Sequence, residues 1–272
     1  MSIDFRRCLY ALSDVIINRP RPLRIFDQIY MKLPDMLLQA ELISRWFKGK
    51  SLLFIGDGDA IGLSLAHLSS QGLLPGRPKH IEVLDFDERV IHSVNHFAHH
   101  YGLSGVIHAG LYNVADPLPR EHWQAHEAFY TNPPWGASND GASVVAFIQR
   151  GMEGVGGHAF GCIVIGDHKD YRWTHDVQLV AQGVLLGHGF RIAEMLPEFH
   201  RYHLDDDPEL TSCSLVVQRE IDDLSPTYSS DVLSPESLKN FYGANSPLRC
   251  HYIRDLTNGG KLATHDVEME PL

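Results

Sequence analysis

The chain has 272 residues, 44% hydrophobic and 21% charged, with a formal net charge of −11. That is enough chain for a large α/β domain with a real core, and no apolar run reaches the ~18–20 residues of a membrane span. The acidic balance supplies no bulk basic surface for duplex phosphates and suits a cationic small partner better.

The first residues, MSIDFRRCLY, lack a basic segment followed by an apolar stretch and a small-residue cleavage site, so no signal peptide is expected. The four cysteines (Cys8, Cys162, Cys213 and Cys250) form no CxxC pair. A zinc cage or disulfide framework is therefore not expected, no metal is assigned, and a cytoplasmic location fits.

Residues 1–48 read as a helical N-terminal segment broken at Arg19-Pro20-Arg21-Pro22, with an amphipathic helix over Met36–Phe47. From residue 49 the pattern changes. Short apolar strands are expected at Ser51–Ile55, Ile81–Asp85, Gly105–His108, Ala128–Thr131 and Phe160–Ile165, and further ones at Phe190–Ala193 and Cys213–Gln218. Helical segments separate most of them, including one that buries Val90, Ile91, Val94, Phe97 and Ala98. This alternation predicts an α/β, Rossmann-like domain over 49–221, with a mostly parallel central sheet covered by helices on both faces. The two late strands suit an antiparallel edge. Residues 222–272 read as a C-terminal extension packed on the site or flapping over it. In it Ser234 and Pro235 predict a helix over Glu236–Tyr242, and the end from Asn258 reads as mobile.

Four motifs follow successive strands. Gly56-Asp57-Gly58-Asp59 is a Gly-rich turn that lets a nucleoside approach the backbone before a helix N-terminus; either aspartate can instead cap that helix. Asp85 ends the second strand, where a carboxylate can accept from both ribose hydroxyls, whereas Asp87 suits the cap of the next helix. Asn113, after the third strand, is placed to accept from an adenine amino group or simply to form a turn. Asn132-Pro133-Pro134-Trp135-Gly136 follows the fourth strand. Its prolines fix the backbone and remove two donors, so Asn132 and nearby carbonyls can align a substrate amine beside the apolar plate of Trp135. Agreement of order and strand context across all four is the strongest signal.

At these residues the sequence resembles the bis-aminopropyl spermidine synthase family, which makes branched polyamines within the class I S-adenosylmethionine-dependent methyltransferase-like superfamily. Arg19-Pro20-Arg21-Pro22 with Asp27-Gln28, then Gly56–Asp59, Leu84–Arg89, Pro117-Leu118-Pro119 and Asn132-Pro133-Pro134, fall in that family's order across residues 19–220. Asn132-Pro133-Pro134-Trp135 also resembles the amino-methyltransferases. The polyamine family carries Asp before the Pro-Pro pair and an acidic residue after it; this chain has Asn132 and Trp135.

The first resemblance implies a transferase that moves an aminopropyl group from decarboxylated S-adenosylmethionine to a polyamine. Gly56, Asp57, Gly58, Asp59, Asp85 and Asn113 would hold the donor. Asn132, Pro133, Trp135 and Asp59 would carry the chemistry, with Asp59 on the donor's ammonium. A crowded Asp57/Asp59 pair should repel a donor carboxylate. The alternative is methyl transfer from S-adenosylmethionine to an exocyclic amino group, with nucleic acid as one substrate class. A third reading is an inactive nucleoside- or polyamine-binding protein. Asp167, His168 and Asp170, after the fifth strand, are expected with Asn132 and Trp135 around the acceptor. The histidines at 92, 96, 99 and 100 read as a solvated helix face, and Asp205-Asp206-Asp207 as a solvated loop or an acidic lid. A homodimer is left open, and no membrane partner is expected.

Overall fold

The computed structural model describes residues 4–222, 224, 227–257 and 267–272. Two helices, α1 (Phe5–Asn18) and α2 (Leu33–Trp46), lead into β1 (Ser51–Ile55), α3 (Ile61–Ser70), β2 (His80–Asp85), α4 (Glu88–His100) and β3 (Ile107–Leu111). There follow β4 (His126–Thr131), α5 (Ala142–Glu153), β5 (Val155–Asp167), α6 (Arg172–Gly187), β6 (Phe190–Arg201) and β7 (Thr211–Glu220). A hairpin of β8 (Cys250–Asp255) and β9 (Val267–Pro271) lies in the C-terminal extension.

The seven-stranded sheet has the order β3-β2-β1-β4-β5-β7-β6. Strands β1 to β5 pair in parallel, and β7 runs antiparallel to both β5 and β6. This is the class I methyltransferase-like form of the expected α/β fold, antiparallel edge included. Period-two alternation in the strands builds both faces. Leu52 and Phe54 join the core under α1, α2, α3 and α4. Leu53 and Ile55 join the opposite core with Val144, Ile148 and Val177 from α5 and α6. Helix α1 packs on α2, α3 and α4, and α2 packs on α3 and reaches β6. All four cysteines are buried and unpaired. No helix among the described residues is long and apolar enough to cross a membrane.

Strands β4, β5 and β7 run longer than the sequence predicts, and three further features differ from the expectation. The third strand begins at Ile107 because the Val106 and Ile107 amides both bond to the Leu103 carbonyl, which holds Gly105 in a turn. Strand β6 runs on to Arg201 past Pro197, at a register break that an edge strand tolerates. The helix expected over Glu236–Tyr242 is instead a run of turns. The Ser237 amide does reach Ser234 Oγ at 3.3 Å, but Asn240 takes a left-handed φ of 50° and Phe241 turns into the core, fully buried. Burial of that aromatic outweighs a short helix of weak propensity. The mobility expected from Asn258 concerns 258–266, which lie outside the described residues, whereas 267–271 form β9.

Candidate active site

The sheet order reverses between β1 and β4, and the crevice beyond their carboxyl ends is where α/β sheets bind ligands. A pocket open to solvent lies there. Its floor is the Gly56–Asp59 turn, its walls Asp85-Phe86, Tyr112–Val114 and Asn132–Trp135, and its roof the strap Phe26–Tyr30 with Tyr242.

The turn after β1 is shaped by glycine at two points. Gly56 has φ +73°, and a Cβ there would lie 3.3 Å from Phe147. A Cβ on Gly62 would lie 2.9 Å from Asp57 Oδ2, because that carboxylate caps α3 and accepts from the Ile61 and Gly62 amides at 2.8 and 2.9 Å. Asp57 therefore serves the helix. Burial pushes its carboxyl up, and the two amides pull it back down.

Asp59 is built differently. Its Oδ1 accepts from the Met31 amide at 2.7 Å, and its Oδ2 accepts from Asn132 Nδ2 at 2.7 Å. The Arg19 guanidinium donates to the Asp59 carbonyl at 3.1 Å and stands 3.8 Å from Oδ1. It also stacks 3.8 Å over the ring of Tyr30, whose hydroxyl donates to the Pro20 carbonyl. Burial raises the Asp59 carboxyl, and Arg19 opposes the rise. The crowded Asp57/Asp59 pair is thus divided, one aspartate on the helix and the other on a buried cation.

Asp85 accepts from the Asp57 amide at 2.9 Å and the Asp87 amide at 3.0 Å. Burial, with Asp87 nearby, pushes its carboxyl up to about 7. Asp87 caps α4 and is clamped by Arg89 through Nε at 2.9 Å and Nη2 at 2.6 Å. Phe26, Phe86 and Tyr242 meet edge-on and stacked around this wall, with centroids 5.3 to 6.3 Å apart.

Past β4, Thr131 Oγ1 donates to the Ile55 carbonyl at 2.8 Å and locks the loop root to β1. Asn132 then bridges the site. Its Nδ2 holds Asp59, and its Oδ1 accepts from Trp135 Nε1 at 3.3 Å. Trp135 is held edge-on against Tyr202 at 5.1 Å. The structure thus gathers Gly56, Asp57, Gly58, Asp59, Asp85, Asn113, Asn132, Pro133 and Trp135 around one pocket.

Two expectations meet other partners in the structure. Asn113 lines the pocket, and its Nδ2 donates to the Cys250 and His251 carbonyls while its Oδ1 accepts from the Ala115 amide. It fastens the C-terminal hairpin to the pocket wall. Asp167, His168 and Asp170 lie outside the pocket. Asp167 accepts from Gln178 and the Glu198 amide, His168 Nδ1 accepts from the Asp170 amide, and Asp170 is exposed. They form a latch among β5, α6 and β6. Elsewhere, His92 contacts Asp255 at 2.8 Å, and Asp206 and Asp207 meet Arg24 and Tyr171.

The strap, Phe147 and Tyr242 line the pocket and Arg19 braces Asp59, though no local motif marks any of them for the site. Asp27-Gln28 and the Phe241-Tyr242 pair were visible, but nothing local said that these segments fold over the pocket. They do so through long-range ties such as Met31 to Asp59 and Gln28 to Asp87.

Comparison with known proteins shows the family and the fold. The family model for the C-terminal domain of branched-chain polyamine synthase A matches residues 8–252. The N(4)-bis(aminopropyl)spermidine synthase of Thermus thermophilus is 30% identical over 190 residues, covering 68% of this chain and 50% of that protein. The Thermococcus kodakarensis protein of the same name is 26% identical over 204 residues, covering 73% and 53%. The chain therefore spans about half the length of these relatives. The structure of the Thermus thermophilus branched-chain polyamine synthase with N4-aminopropylspermidine and 5'-methylthioadenosine is 25% identical, with a TM-score of 0.65 over 85% of this chain and 69% of that one. A Pyrococcus horikoshii protein of proposed RNA methyltransferase activity, 14% identical, shares the fold with a TM-score of 0.57 over 80% of this chain and all of its own.

Proposed function

The chain belongs to the branched-chain polyamine synthase family, and on that premise we propose that it transfers an aminopropyl group from decarboxylated S-adenosylmethionine to a polyamine nitrogen. The observation that carries this reading is the Asp59–Asn132 bond of 2.7 Å. It places a carboxylate suited to the donor's ammonium beside a side chain suited to aligning an amine.

In this reading the nucleoside lies between the aromatic wall of Phe26, Phe86 and Tyr242 and the Gly56–Asp59 turn, with its ribose hydroxyls donating to Asp85. The Asp59 carboxylate holds the ammonium of the aminopropyl arm. A neutral acceptor amine donates N–H to Asn132 Oδ1 and to a loop carbonyl, so its lone pair faces the carbon beside sulfur. The new C–N bond forms as the C–S bond breaks, 5'-methylthioadenosine leaves as a neutral thioether, and the ammonium product sheds a proton to solvent. No group need supply an electron pair beyond the amine itself, so orientation supplies much of the acceleration. The acidic wall favours cationic substrates.

Methyl transfer from S-adenosylmethionine remains the second reading, on one observation. Arg19 offsets the Asp59 charge and so lessens repulsion of a donor carboxylate. Against a nucleic-acid acceptor stands the pocket lining, which includes no Lys, Arg or His among the described residues.

Calorimetry separates the readings. We expect the protein to bind decarboxylated donor and 5'-methylthioadenosine more tightly than S-adenosylmethionine and S-adenosylhomocysteine. The reverse preference points to methyl transfer. Tight binding of nucleoside and polyamine with no turnover points to the third reading, a sensor.

A further inference from the structure

Three of the four carboxylates lining the pocket are committed to partners within the protein. Asp57 caps α3, Asp59 is bonded to Met31 and Asn132, and Asp85 takes two backbone amides. Asp27 is the exception. It lines the same pocket, yet among the described residues its carboxylate accepts no hydrogen bond. Arg24, whose charge also acts on Asp27, pairs with Asp206 at 3.7 Å.

Two further features set Asp27 apart. Its backbone is left-handed, with φ 56° and ψ 23°, a conformation that costs an L residue energy and that clusters at functional sites. Its side chain is half-buried, and burial pushes the carboxyl up to about 6, with Arg24 opposing the rise and Asp206 adding to it; no hydrogen bond offsets the loss of water. A desolvated acid held in a strained conformation and facing a cavity is stabilised when a cation enters that cavity.

We propose that Asp27 anchors a second ammonium of the amine acceptor, the one remote from the reacting nitrogen, and thereby selects polyamines over monoamines. The inference rests on the aminopropyl-transfer reading and deepens it. Asp27 and Asn132 stand on different elements, the strap and the loop after β4, so a polyamine can be gripped at two points along its length. A monoamine has no group to offer Asp27.

The test is Asp27→Asn. Asparagine tolerates the left-handed conformation, so the fold should persist. The KM for spermidine should rise by about tenfold or more, as expected for loss of a charge-assisted contact. The KM for the donor and the affinity for 5'-methylthioadenosine should hold, and the preference for spermidine over propylamine should collapse. Asp206→Asn removes the same charge from the neighbouring ion pair and should change the spermidine KM by less than about twofold. An unchanged spermidine KM in Asp27→Asn, or an equal rise in Asp206→Asn, overturns the anchor.

Calorimetric titration of spermidine into protein loaded with 5'-methylthioadenosine reads the same contrast without turnover. Turnover with equal spermidine binding in wild type and Asp27→Asn removes the anchor and keeps the reaction. Absence of turnover, with spermidine still bound more tightly by wild type, removes the reaction and keeps the anchor.

Discussion

Asp59 and Asp85 are both buried aspartates, yet their partners give them different duties. Asp59 has donors fixed on both oxygens and a guanidinium 3.8 Å away, which oppose the rise that burial imposes and aim the carboxylate. Asp59→Asn should weaken binding of the decarboxylated donor by about ten- to a hundredfold, the range for losing a hydrogen bond to a charged group. It should barely affect 5'-methylthioadenosine, which lacks the aminopropyl arm. Competition binding with the two nucleosides checks this split, and equal losses for both would assign Asp59 a structural role instead.

Asp85 has no cation beside it, and its carboxyl rises to about 7. The folded chain therefore holds a proton that the unfolded chain releases at lower pH. This site's contribution to stability is full at acid pH and is lost as pH rises through about 7. Ribose hydroxyls donate best to the ionised form. The affinity for 5'-methylthioadenosine, a neutral ligand, should climb with pH up to about 7 and then level off. In Asp85→Asn it should be weaker and flat across that range.

At the scale of elements, the C-terminal extension is the least regular part of the described chain and one of the most firmly tied. Arg150, fully buried on α5, donates to the Val114 and Asp231 carbonyls, to Ser230 Oγ and to both oxygens of Glu153. Arg150→Met would leave the buried Glu153 without its cation, with only Ser230 and Gln149 still donating to it, at a cost of about 3 kcal/mol. Denaturant unfolding should show that loss, and nucleoside binding should weaken because Tyr242 belongs to the same extension.

The elements were legible to unequal degrees. The parallel strands were plain, because Leu52–Ile55 and Ile163–Ile165 are apolar runs buried on both faces. The turns after β1, β2 and β4 were plain too, because their chemistry is local. The strap was not. Residues 19–32 have no periodicity, and contacts to Asp59, Asp87 and Arg201, far along the chain, hold them in place. The latch at Asp167, His168 and Asp170 was misplaced for a related reason. Nothing within 167–170 says which way the loop after β5 packs; contacts to Gln178 and Glu198, distant in sequence, decide it.

For the molecule as a whole, charge is the variable that links sequence to the proposed activity. The net charge of −11 and the carboxylate-lined pocket should draw cationic amines and a cationic donor. Raising ionic strength from about 0.05 M to about 0.5 M should raise the KM for spermidine several-fold while leaving 5'-methylthioadenosine affinity nearly unchanged, since salt screens only the charged ligand. Steady-state kinetics and calorimetry at the two salt levels check this. Equal sensitivity would mean that salt acts on the fold.

The account turns on which group leaves the sulfonium. Purified protein should be incubated with spermidine and either decarboxylated or intact S-adenosylmethionine, and both products followed by mass spectrometry. The account predicts 5'-methylthioadenosine appearing in step with an amine heavier by one aminopropyl group, with the decarboxylated donor alone. S-adenosylhomocysteine appearing with a methylated amine, and no aminopropylated product from the decarboxylated donor, would contradict it.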